Sequence, residues 1–124
     1  MANPNIVAVS SILGKTVANS LTTTNNTTLV SNAVSSGTIV KINSVIVSNV
    51  DGTNAVNVSV FHNNAAAGAG TNFELASTIS VPANASLIVV DKSTSIYLEE
   101  NTSLTVTAGT ASKLKTIVSY EIIS

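Results

Sequence analysis

Along the middle of the chain, apolar and polar residues alternate with a period of two. In Ala55–His62, Val56, Val58 and Val60 fall on one side and Asn57 and Ser59 on the other, the spacing of a half-buried strand. Phe73–Val81 repeats the pattern, with Phe73, Leu75, Ile79 and Val81 predicted inward. Lys113–Ile123 sets Leu114, Val118, Tyr120 and Ile122 against Lys113, Lys115, Ser119 and Glu121. Three shorter strands are predicted at Leu87–Asp91, at Ser95–Glu99 with Ile96 and Leu98 inward, and at Ser103–Ala108 with Leu104 and Val106 inward. Toward the N-terminus the pattern weakens. Asn5–Ser10 and Lys15–Thr22 are predicted as strands with Gly14 at the turn between them, followed by a polar loop over Thr22–Thr28 and a short apolar segment over Thr28–Ala33.

The longest run, Thr38–Val50, does not keep one parity. Val40, Ile42 and Ile46 share a side, while Val45 and Val47 take the other. Either a bulge near Asn43-Ser44 or a strand crossing between two buried surfaces accounts for the switch. Asp51-Gly52 then sits between two alternating runs, where both residues tolerate positive φ, so a hairpin is expected there. Asn63–Asn72 reads as a small-residue loop and Pro82–Ser86 as a turn, and Glu100-Asn101 is expected to turn the chain as well. About eight or nine short strands in 124 residues predict one all-β domain over 1–124, an antiparallel β-sandwich of jelly-roll-like or immunoglobulin-like type. A flat sheet of that many strands would leave one apolar face wet.

Composition supports the strands and gives helix little support. Val, Ile and Thr are stiff at χ1 and fit a pleated surface, and Ser, Thr and Asn together make 49 of the residues. Charged residues are only 9%, where about 25% is usual, and arginine is absent. Such a surface is either kept soluble by neutral hydrogen bonding or packed inside an assembly, where charges would cost desolvation. A net charge of −1 gives no footprint for nucleic acid and no basic segment for a membrane. No cysteine is present, so no disulfide staples the fold. The opening Met-Ala-Asn-Pro-Asn lacks the positive region of a secretory signal, and no apolar run approaches about 18 residues. Synthesis in a cytoplasm without an anchor is expected.

Chemistry has few parts to work with. His62 is the single histidine, and its nearest acidic residues in sequence are Asp51 and Glu74. One histidine and no cysteine cannot make a zinc site. Glu99-Glu100 reads as a solvated turn, and Asp51-Gly52-Thr53-Asn54 lacks the dense oxygen ligands of a calcium loop. No serine lies in a G-x-S-x-G elbow, and the glycines of Gly68-Ala69-Gly70 have no strand–helix context for phosphate binding. Asn25, Asn26, Asn57, Asn84 and Asn101 match N-x-S/T, as chance allows in so polar a chain. No catalytic, metal or cofactor-binding residue is assigned, and no cofactor is expected. The aromatics Phe61 and Tyr97 oppose their apolar neighbours, which leaves an interface, the core beneath a second sheet, or a ligand platform open to them. A carbohydrate-binding β-sandwich is the reading that a platform would favour.

The segments Met1–Lys15, Lys41–Val60 and Ile96–Ile123 resemble small virion structural proteins of tailed phages, especially those of marine bacteria including cyanobacteria. The resemblance extends over most of the chain and is carried by strand and turn patterns. It implies a non-enzymatic virion component made in the host cytoplasm, most specifically a capsid decoration (cement) protein on the capsid surface. The major capsid protein and other copies of this chain, as a trimer for instance, would be its partners. A tail, collar or fibre component is the alternative. Under this resemblance residues 1–14 would form an extended arm, clamping a neighbour through Asn5, Ile6, Val7 and Val9.

Overall fold

In a computed structural model, residues 4–124 are described, and they form an all-β sandwich of two antiparallel sheets. The nine strands are β1 (Ile12–Leu21), β2 (Thr27–Asn32), β3 (Ile39–Asn49), β4 (Val56–Asn63), β5 (Asn72–Val81), β6 (Ser86–Val90), β7 (Ile96–Leu98), β8 (Thr102–Ala108) and β9 (Leu114–Ile123). The first sheet has the order β1-β9-β3-β6, with β7 also paired to β3, and the second has the order β2-β8-β4-β5. With the three-residue β7 set aside, the pairs β1/β9, β2/β8, β3/β6 and β4/β5 nest the first strand against the last. One long hairpin rolled onto itself gives this nesting, which is a jelly roll and not an immunoglobulin arrangement.

Between the sheets lies a core of Val, Leu and Ile. Ile42, Val45, Val47, Val60, Leu98, Leu104, Val106 and Val118 are fully buried in it. Burial in β3 follows the even positions Val40 and Ile42, then the odd positions Val45 and Val47. The register against β9 shifts between Ile42 and Ser44, so the parity switch is a bulge. Asn43, the extra residue, hydrogen-bonds through Nδ2 to Glu121 Oε1 at 3.2 Å.

Several sequence expectations are corrected. Asp51-Gly52 does not close a hairpin, because β3 and β4 lie in different sheets. The segment is instead an Asx turn that crosses the sandwich, with Asp51 Oδ1 accepting from the N–H of Thr53 (2.8 Å) and Asn54 (3.2 Å). Asn5–Ser10 is turn and bend and not strand, while Gly14 lies inside β1 and not at a turn. The part of the N-terminal arm at 1–3 lies outside the described residues. Phe73, Leu75 and Ile79 are exposed by 55%, 39% and 40%. β5 is an edge strand whose register against β4 shifts between Val58 and Val60 and again between Val60 and Phe61, so no single parity faces the core.

Buried asparagines end three consecutive strands. Asn32 closes β2, Asn49 closes β3 and Asn63 closes β4, each hidden from solvent. Asn49 Nδ2 donates to the carbonyls of Asn54 and Val81, and its Oδ1 accepts from Asp51 N–H. Asn32 Nδ2 donates to Thr38 and Leu98, and its Oδ1 accepts from the hydroxyls of Ser36 and Thr38. Asn49 thus meets carbonyl and amide groups that the departing loop would otherwise leave unpaired, and Asn32 meets two carbonyls and two hydroxyls.

Thr116 is a different case. It points into the sandwich from β9, 1% exposed, and its Oγ1 has no hydrogen-bond partner among the described residues. Thr116→Val keeps the shape and removes the stranded hydroxyl, so it should raise stability by about 1 kcal/mol in urea unfolding. A loss of stability would mean that the hydroxyl is satisfied in solution.

Candidate interaction surface

The outer face of the first sheet is organised in rows across the strands, because opposed residues in antiparallel strands share a face. Ala18, Ile117, Ile46 and Ile88 stand in register on β1, β9, β3 and β6. Ile117 and Ile88 are 44% and 62% exposed, so this apolar row spans the sheet in open solvent. Hydroxyl-rich rows flank it, with one charge, Lys115, between them. Ser20, Ser48 and Ser86 lie on one side together with Lys115, and Ser48 and Ser86 bond through their Oγ atoms at 2.9 Å. On the other side, Thr16 Oγ1 and Ser119 Oγ meet at 3.1 Å. Beyond the Thr16–Ser119 row, Gly14, Glu121, Lys41 and Tyr97 are in register and bring charges of both signs. A cavity of about 260 Å³ runs along β1 and β9, lined by Ala18, Asn19, Ser20, Lys115, Thr116 and Ile117.

The outer face of the second sheet is partly covered by its own chain. The loop after β4, with a 3₁₀ turn at Ala66–Gly68, lies over β2 and β8. Ala67 N–H donates to Ser31 Oγ, Gly68 N–H donates to Ser103 Oγ, and Ser103 Oγ donates to the Ala65 carbonyl. Asn63 holds the loop from inside: Nδ2 donates to Gly70 O and Asn72 Oδ1, and Oδ1 accepts from Ala65 and Gly70 N–H. Gly68 has φ +71°, and a Cβ there would stand 3.0 Å from Thr28 Oγ1. Much of the Ser/Thr/Asn excess therefore serves to fasten backbone onto a sheet.

The predicted interface residues do not converge. Phe61 is half-buried on the outer face of the second sheet, between Thr105 and Glu74, whereas Tyr97 is 41% exposed on the outer face of the first. Neither belongs to the core, so the placement beneath a second sheet is excluded for both. Asn5, Ile6 and Val7 are exposed and Val9 is half-buried, near the end of β1 where Ser10 and Ser11 N–H both donate to the Ser124 carbonyl. The apolar row was not found from sequence. Ile117 and Ile88 each carry a strand signal, but their alignment depends on the pairing.

His62 is half-buried, opposite Leu104 and Phe73. Among the described residues no three metal-capable side chains gather, and no helix is long and apolar enough to cross a membrane. Glu99 is exposed, but both Glu100 carboxylate oxygens are buried without a hydrogen-bond partner among the described residues, so the expected solvated pair is split.

Two aspartates are tuned by their turns. The Thr53 and then the Asn54 N–H hold the Asp51 carboxyl below the ordinary value of 3.8. At Asp91, which caps the 3₁₀ turn Lys92–Thr94, the Ser93 hydroxyl and then its N–H do the same. A carboxyl lowered by folding adds stability above 3.8 that is lost as the pH falls through its folded value. Carboxyl titration by NMR should place both midpoints below 3.8. Midpoints at or above it would mean that these turns are open in solution.

No family model matches the chain, and no curated protein matches it. A solved structure that resembles it is a chain of the Bacillus endospore appendages, a family of disulfide-linked pili. The likeness has a TM-score of 0.51 and 15% identity, and covers 99% of this chain and 98% of that one. At that identity it speaks for the fold alone.

Proposed function

We propose that this chain is a non-enzymatic structural subunit of a multicopy assembly, most specifically a decoration protein on a phage capsid. The observation that carries the reading is the outer face of the first sheet, an exposed apolar row between hydroxyl-rich rows whose single charge is Lys115. Interface cores are depleted in charge, and a large exposed apolar patch marks an interaction site more often than a free surface. The low overall charge agrees with this, and the sequence resemblance supplies the virion. Synthesis in the host cytoplasm and a place on the capsid surface belong to the same proposal.

A quantitative protein inventory of purified virions tests it. Hundreds of copies per particle, and fragile heads on particles lacking the chain, are expected. Absence from virions, or particles that lose tails or adsorption instead, would overturn the decoration role. Within the assembly reading, the double variant Ile88→Asp/Ile117→Asp should leave thermal unfolding nearly unchanged and abolish particle binding.

A filament subunit is the second reading, favoured by the fold shared with a pilus protein. Having no cysteine, this chain would have to join such a filament without disulfides.

A further inference from the structure

The two sheets expose several edges, and all but one are blunted. β6 has five residues and a register shift against β3, and β7 has three residues. β2 is short, shifted between Thr28 and Val30, and tied to the covering loop through Ser31. β5 is broken by two register shifts, with Thr78 at φ +49°. Short strands and bulges are the devices by which sheets avoid pairing with other chains. β1 has neither. It runs ten residues, pairs with β9 without a break from Ile12↔Ile123 to Leu21↔Leu114, contains no proline and carries one charge, Lys15. Among the described residues, no strand pairs with its other side. Its side chains are exposed over nearly its whole length, Ile12 and Leu13 by 54% and 55%.

We propose that β1 is a self-association edge that pairs antiparallel with β1 of a second copy, joining two first sheets into one continuous sheet. The second copy is the fitting occupant because an edge of this kind needs an unblunted partner edge, and β1 is the one that this molecule offers. A two-fold axis makes the pairing self-complementary. Opposed residues must share a face, so the axis passes through Thr16 or Val17. Lys15 then lies opposite Val17 or Asn19 of the second copy and meets no like charge. The apolar row that ends at Ala18 is carried toward the partner's face, and the cavity along β1 and β9 lies beside the seam. This deepens the assembly reading by naming the partner of one edge.

The absence of cysteine makes the test clean. A residue on the axis meets its own copy at a separation that a disulfide spans. Thr16→Cys or Val17→Cys should therefore oxidise to a covalent dimer, while Ile88→Cys, on the blunted opposite edge of the same sheet, should not. A lysine at the axis residue that cross-links, Thr16→Lys or Val17→Lys, brings two cations together and should weaken dimerisation, read by native mass spectrometry, by about tenfold or more. The proposal is overturned if neither edge cysteine cross-links above the Ile88→Cys control, or if lysine at the cross-linking residue leaves the dimer intact. It is also overturned if the unmodified chain stays monomeric at millimolar concentration. Multimers that survive both Thr16→Lys and Val17→Lys but not Ile88→Asp/Ile117→Asp would remove the edge and leave the assembly reading standing. Dimers from a chain absent from virions and other particles would do the reverse.

Discussion

Replacing Asn63 by alanine should cost about 3 kcal/mol of stability, or on the order of 10 °C in thermal midpoint. Asn63 is completely buried at the end of β4, and its amide makes four hydrogen bonds to Ala65, Gly70 and Asn72. Alanine removes all four and strands the amides of Ala65 and Gly70 at the base of the loop. A stranded buried group costs about 1–3 kcal/mol, but the loop lies at the surface and water can repair part of the damage, so the costs do not add fully. Hydrogen exchange should accelerate at Ala65 and Gly70 while the amides of β8 keep their protection. A loss below about 1 kcal/mol would show that the loop is held by Ser31 and Ser103 alone. Asn63→Asp is the informative companion, because it keeps the acceptor, loses the two donors, and buries a charge beside Asn72 Oδ1 and the Gly70 carbonyl.

Leu104→Ala should be at least as damaging, at about 3–4 kcal/mol, since truncation of a buried leucine leaves a cavity that its neighbours fill only in part. Leu104 is fully buried on β8, between Val30 of β2 and His62 of β4. Phe73→Ala provides the contrast. Both residues are predicted inward from alternation, yet Phe73 is more than half exposed on the edge strand β5, and its loss should cost under about 1 kcal/mol. Chemical unfolding of the two variants side by side decides the matter. Equal losses would mean that β5 packs inward in solution.

The same contrast marks where sequence reasoning failed. Alternation reports which residues share a side only while the strand pairs without interruption. In β4, which pairs with β8 without a break, Val56, Val58 and Val60 are all buried. In β3 the interruption was visible, because the apolar residues themselves change parity around Asn43-Ser44. In β5 it was not, since the surplus residues opposite β4 are Leu75 and the region around Thr78, whose identities give no sign of a bulge. Asp51-Gly52 failed for a related reason. A turn-forming pair specifies a local change of direction, and whether the next strand returns beside the last or crosses to the other sheet depends on what each strand buries.

For the candidate surface the division is sharper. Its raw materials were legible: few charges, no arginine, abundant hydroxyls, and isoleucines at positions 46, 88 and 117. Their assembly into a row was not, because those residues are brought opposite one another by pairings between strands far apart in the chain. Nor was it legible that β1 is the unblunted edge, since an edge is defined by the strand order.

By itself, then, the sequence determined the β class, the approximate strands, most of the core and the shortage of chemically active side chains. These are local properties, set by side-chain shape, polarity and a spacing of two. Tertiary structure alone decided the jelly-roll order, the exposure of Phe73, Leu75 and Ile79, the loop latched over the second sheet, and the apolar row with its open edge. Each of these depends on which distant strands share hydrogen bonds, and that choice is made by the burial of the whole core at once.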